Sequence, residues 1–86
     1  MSNILLKYSK MKNISMRRAY CNGAVLKSIF APNSSFTSAI LVDADFEDSN
    51  LEDTNFQYAT LIRTNFLSVK RKGAKFAGAA TFGAIF

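Results

Sequence analysis

Every fifth residue of this chain belongs to one column, and the column keeps its phase from end to end. Counted from Leu6 it reads Leu6, Met11, Met16, Cys21, Leu26, Ala31, Phe36, Leu41, Phe46, Leu51, Phe56, Leu61, Phe66, Arg71, Phe76, Thr81 and Phe86, and only Arg71 and Thr81 are not apolar. Two places upstream a second column runs from Ile4 through Ser9, Ile14, Ala19, Ala24, Ile29 and Ser34 to Ala84, every member small or aliphatic. All the charged side chains except Arg71 fall in the other three columns. Neither a helical period of about 3.6 nor a strand period of about 2 stays in step with such a repeat, so each pentad has to be one side of a recurring coil that turns two columns inward.

Residues 44–68 read ADFED, SNLED, TNFQY, ATLIR and TNFLS. They resemble the pentapeptide-repeat family, in which a small residue, often an Asn or Asp, a Leu or Phe and two free positions recur. The resemblance is specific from Ser34 to Phe66 and looser, though in phase, from Ile4 to Ala31 and from Val69 to Phe86. It implies an all-β fold, a right-handed quadrilateral β-helix of about four coils, in which four pentads make one turn and the two regular columns point inward. The whole chain, residues 1–86, then forms a single solenoid domain with its strongest repeats at 34–68.

Four pentads per turn would stack residues 20 apart, and the sequence carries its own signs of that spacing. Phe36, Phe56 and Phe76 fall on one side, Phe46, Phe66 and Phe86 on the opposite side, and Ala19, Ala39, Ala59 and Ala79 on a third. Opposite charges recur at the same interval in Lys27 with Glu47, Asp43 with Arg63 and Glu52 with Lys72, which coils at a strand-like separation of about 4.8 Å would bring into adjoining rungs. No linker interrupts the register. Pro32 sits in an outward column, and Gly23, Gly73, Gly78 and Gly83 all take the last place of their pentads, where the chain turns a corner and a left-handed backbone suits glycine.

Residues 1–42 contain Lys and Arg but no carboxylate, a composition that superficially looks like an organellar presequence. The columns begin inside this stretch, which places it in the folded protein. There is no run of the roughly 20 apolar residues that a membrane-spanning helix needs and no secretory signal pattern, so an intracellular setting, cytoplasmic or organellar, is expected.

Catalysis is poorly supported. The chain has no His, no glycine-rich phosphate loop and no metal-spaced Cys/His set, and neither a cofactor nor a metal ion is expected. Cys21 lies in the inward column, where it reads as a small buried hydrophobe and not as a nucleophile. Asp43, Asp45, Glu47, Asp48, Glu52 and Asp53 crowd together in sequence, but their columns send them to different sides, which is the pattern of a solvated surface and not of a cation site.

Function therefore has to lie in the surface. Charge is banded along the chain, +6 over residues 1–27, −6 over 28–62 and +5 over 63–86, for a net +5. Some members of the family imitate duplex DNA, which demands a strongly negative surface, and this balance does not fit that role. One side instead gathers outward apolar residues: Tyr20, Ile40, Val42, Ile62 and Phe82, a strip expected to contact another polypeptide or lipid. Both ends of a solenoid expose backbone and core residues unless covered, so further subunits, or a second copy joined end to end, are expected partners. Arg71 is the charged intruder of the inward column. A bulge at Lys70–Gly73 is expected to turn it to water, and the competing reading makes Lys70, Arg71, Lys72 and Lys75 an anion-binding knuckle. The preferred function is a non-catalytic structural or adaptor protein, a small subunit of a larger assembly. The alternative is a basic module for nucleic acid or an anionic membrane surface, with nucleic acid disfavoured because aromatic residues fall almost entirely inward.

Overall fold

The computed structural model describes residues 8–86; Ile4, Leu5, Leu6 and Lys7, which the column reading includes, lie outside the described residues. The chain climbs as a right-handed, four-sided β-helix. Parallel bridges between residues 20 apart, from Lys10 with Phe30 to Asn65 with Ile85, hold one coil on the next. We number the sides by their inward residues. The first carries Leu26, Phe46, Phe66 and Phe86; the second Met11, Ala31, Leu51 and Arg71; the third Met16, Phe36, Phe56 and Phe76; the fourth Cys21, Leu41, Leu61 and Thr81.

The five-residue period follows from where the backbone amides go, because a buried peptide group needs a partner. Around Leu41, the Leu41 and Asp43 amides donate one coil upward, to Thr60 at 2.8 Å and Ile62 at 3.0 Å, while Ile40 donates one coil downward to Ala19 at 2.9 Å. The Ala44 amide closes the corner on the Leu41 carbonyl at 3.1 Å, and Val42 N–H is taken by Asn22 Oδ1 at 3.1 Å. Elsewhere the residue two places before supplies that last acceptor. Asp45, Asn50, Asn55 and Asn65 each accept from the amide two residues on, at 2.8–3.1 Å, an Asx turn. The recurring Asn and Asp of the repeat are therefore backbone caps for the sides.

Each corner contains one residue in the left-handed region, every fifth residue from Tyr8 to Gly83, with φ from 55° at Arg63 to 76° at Gly73. This widens the expectation drawn from the glycines: the left-handed backbone belongs to the whole column, which also holds Asn13, Asn33, Asp43, Asp48, Asp53, Arg18 and Tyr58. Asn and Asp tolerate it best among residues with a Cβ. For the others it costs on the order of 1 kcal/mol, held in place by the corner hydrogen bond and the coils above and below.

Three corners depart from the rule. At Met11–Ile14, Leu26–Ile29 and Ala31–Ser34 the closing amide donates to the hydroxyl of Ser34, Ser49 or Thr54 in the coil above, at 3.1–3.4 Å. The same hydroxyl donates to the carbonyl that the amide would otherwise reach, 2.7–3.1 Å away on Met11, Leu26 or Ala31. A buried hydroxyl is thus inserted into the corner beneath it and leaves no polar group unpaired.

The core is a column of rings. Phe36, Phe56 and Phe76 stack face to face at 5.1–5.3 Å, as do Phe46, Phe66 and Phe86, and rings of one ladder meet the other edge to face at 5.5–5.8 Å. Both geometries suit the ring quadrupole, each pair adding about 0.5–1.5 kcal/mol beyond burial. The two ladders lie on opposite sides, as the spacing of the Phe residues requires.

Candidate functional site

The fourth side is built by two outward columns. Bridges run Tyr20 to Ile40 to Thr60 to Ala80, and Asn22, Val42, Ile62 and Phe82 follow in the column two residues on, Arg63 N–H meeting Phe82 O at 2.9 Å. Tyr20 and Phe82 stand out at opposite ends, 53% and 80% exposed, and Ile40, Val42 and Ile62 are half-buried between them. The corner toward the third side carries the exposed Arg18, and at the edge toward the first side Asp43 and Arg63 engage each other in a fork, Nε to Oδ1 at 2.7 Å and Nη2 to Oδ2 at 3.0 Å. That hydrogen bond holds the Asp43 carboxyl below its usual range and raises the Arg63 guanidinium further. The structure places the five residues singled out in sequence on this one side, with the Asp43–Arg63 pair along one edge and Arg18 at the other.

Lys70, Arg71 and Lys72 share the second side of the last coil, with Lys75 round the corner on the third. The expected bulge is absent. Lys70 and Lys75 keep their bridges to Asn50 and Asn55, and Ala74 N–H closes the ordinary corner on Arg71 O at 3.0 Å. Arg71 is exposed, as expected, and its guanidinium carbon sits 4.9 Å from the centre of the Phe86 ring, a cation–π contact. One coil below, Glu52 and Asp53 lie on the same side and corner, and Asp53 fills the space in which a Cβ on Gly73 would sit. The basic rim is therefore backed by carboxylates.

The remaining chemical candidates resolve into structure. Cys21 is fully buried, and burial pushes its thiol up, away from the reactive thiolate. The acidic run is divided between two backbone duties: Asp43, Asp48 and Asp53 occupy left-handed corners, and Asp45 caps the Glu47 amide at 3.0 Å. Of the three expected ion pairs, Lys27–Glu47 at 3.5 Å and Asp43–Arg63 form; Glu52 and Lys72 stay beyond 4.0 Å. Sequence reasoning passed over Phe30, which stands outward on the second side, 43% exposed, directly above Lys10. Its place in the column that also holds Lys10, Asn50 and Lys70 was the available signal.

The family model for pentapeptide repeats in eight copies matches residues 14–53, 33–66 and 44–79. No curated protein matches the chain in sequence. Among solved structures, HetL, a pentapeptide repeat protein involved in heterocyst differentiation regulation from the cyanobacterium Nostoc sp., superposes with a TM-score of 0.68 at 18% identity, over 98% of this chain and 45% of HetL. QnrB1, a plasmid-mediated fluoroquinolone resistance protein, superposes with a TM-score of 0.54 at 14% identity, over 85% of this chain and 48% of QnrB1. The chain thus spans less than half the length of either, and at these identities the likeness is one of fold. With the repeat pattern matched over the greater part of its length and each pentad forming one side of the coil, the chain belongs to the pentapeptide-repeat family.

Proposed function

We propose that the chain is a non-catalytic adaptor that docks a protein partner through its fourth side. The observation that supports this is the strip of Ile40, Val42 and Ile62 between Tyr20 and Phe82, on a side whose upper-corner charges, Asp43 and Arg63, are committed to each other. Covering the middle of such a side gains the burial of aliphatic and aromatic area, while Arg18, exposed at the corner beside Tyr20, can stay at the rim in water. Size sets a limit on the contact. The molecule measures 26 × 26 × 22 Å, so one side offers less than the roughly 800 Å² per partner of a stable independent interface. Docking through this side alone is accordingly transient, or one contact among several in a larger assembly.

Ile62→Asp tests the reading, because it sets an unpaired carboxylate at the centre of the strip. In affinity capture from the native cells, the variant is expected to lose a partner that both the natural chain and Asn50→Asp, a substitution on the opposite side, retain. Its melting temperature should stay close to that of the natural chain. Retention of every partner by a folded Ile62→Asp protein would sink the proposal.

A further inference from the structure

Four described cations of the lower coils lie on two adjoining sides, while Lys27 on the first side pairs with Glu47. Lys10 and Lys12 lie on the second side and Arg17 and Arg18 on the third, all exposed. None of the four has a carboxylate within ion-pair distance among the described residues, and no acidic residue occurs before Asp43. The rung above is uncharged and polar, with Asn33 and Ser38 exposed and Ser35 and Thr37 half-buried. It also supplies Phe30, bridged to Lys10 and 43% exposed. A row of phosphate-binding groups, hydrogen-bonding neutral groups and one outward aromatic ring therefore share two rungs that hold no carboxylate, the first on these sides being Glu52 and Asp53 one rung higher.

The shape of this surface selects among polyanions. It bends round the corner formed by Asn13 and Asn33, where the backbone turns through the left-handed region at φ 60° and 57°. A bilayer is planar and a short duplex is stiff, so either can touch a convex corner along one side only. A single strand can follow the bend, set its phosphates on cations of both sides and lay a base on the ring. We propose that the lower corner of the second and third sides binds single-stranded nucleic acid without sequence preference, with Lys10, Lys12, Arg17 and Arg18 on phosphates and Phe30 beneath a base. RNA and DNA share this chemistry, and separate arms of the test tell them apart. Lys10, Lys12 and Phe30 lie opposite the fourth side while Arg18 stands at the corner beside Tyr20, so variants at Lys12, Arg17 and Phe30 separate this inference from the proposed adaptor contact.

The test is fluorescence anisotropy of the full chain with labelled oligouridine and oligothymidine of about 12 nucleotides, a length within the usual site size. Four phosphate contacts on a single strand predict a log–log salt slope near −3, so affinity should fall roughly 50-fold between about 50 and 200 mM salt. Lys12→Gln combined with Arg17→Gln should flatten that slope to about half. Phe30→Leu, which keeps the apolar bulk and removes the ring, should weaken binding roughly tenfold and leave the slope unchanged. Lys70→Gln with Lys75→Gln on the upper rim, and Ile62→Asp on the fourth side, should bind like the natural chain, with circular dichroism confirming the fold of each variant. The proposal is overturned by no binding at the lower salt, by equal or tighter binding of a blunt duplex or of phosphatidylserine vesicles, or by indifference to both the Gln pair and Phe30→Leu.

Discussion

At the scale of single residues, hydroxyls of the small inward column carry the backbone. Ser49 is the clearest case. Its hydroxyl accepts from Ile29 N–H at 3.1 Å and donates to Leu26 O at 2.7 Å, joining the two ends of a corner that other coils close directly. Ser49→Ala should cost about 1 kcal/mol, at the low end for a buried hydrogen-bonded group, because the corner can contract to the direct bond seen at Cys21–Ala24. A urea titration measures the cost, and a loss of several kcal/mol would show that the corner cannot contract. Asp43 offers a titration on the outer surface. Its carboxyl is depressed in the folded state by the Arg63 hydrogen bond, so the stabilisation it brings is present above the ordinary carboxylate value of about 3.9 and is lost as pH falls through the lower folded value. Both partners are exposed, so the effect is small and screened by salt. The melting-temperature gap between the natural chain and Asp43→Asn should be visible near neutral pH and narrow as the pH falls below the ordinary carboxylate range toward the lower folded value; a gap that does not narrow in acid would mean that Asp43 acts through its corner conformation and not through its charge.

At the scale of the side and the corner, the sequence was legible wherever one residue type repeats for one reason. The inward columns and the Phe ladders read directly, since a buried ring can be replaced only by another apolar group. Phe56 touches four other rings, and Phe56→Ala should cost about 3–5 kcal/mol through lost burial and the cavity left behind. Gln57→Ala, one residue on and outward, should cost under about 1 kcal/mol in the same denaturation series. Comparable losses would contradict the inward and outward assignment. The corners were less legible because their constraint is on φ, and φ shows in sequence only through residues that tolerate it. Tyr58 and Arg63 hide it; Gly78 reveals it in part. There the ring of Tyr58 from the coil below occupies the space a Cβ would take, at φ 72°. Gly78→Ala should therefore destabilise by about 1–2 kcal/mol from backbone and crowding together. Pairing it with Tyr58→Ser should recover the crowding share and leave the backbone share. Arg71 was rightly expected to reach water but by the wrong route: no bulge forms at Lys70–Gly73, and the residue keeps its inward-column place with its guanidinium over the Phe86 ring.

For the whole molecule, stability should grade along the axis, because a solenoid is held by nearest-neighbour stacking and not by one shared core. Inward residues from Cys21 to Phe66 are sealed, Met11 and Met16 are only half-buried, and Arg71 and Thr81 are exposed. Amides of the middle coils also gain protection from both directions: Thr60 donates downward to Ala39 at 2.8 Å, and its own carbonyl receives Leu41 N–H from below at 2.8 Å while Leu61 donates upward to Ala80 at 2.6 Å. Native-state hydrogen exchange should therefore be slowest for Leu41, Phe46, Asn55 and Thr60. It should be faster for Met16 and Arg18, whose coil packs against half-buried side chains, and for Ala80 and Ile85, whose coil has a sealed neighbour on one side only. The gradient should steepen in Phe36→Leu, which weakens the lower end of one ladder while leaving the Phe46, Phe66 and Phe86 stack intact. Exchange at a single common rate for all these amides would mean that the molecule opens as one unit, and the nearest-neighbour account of its stability would then be wrong.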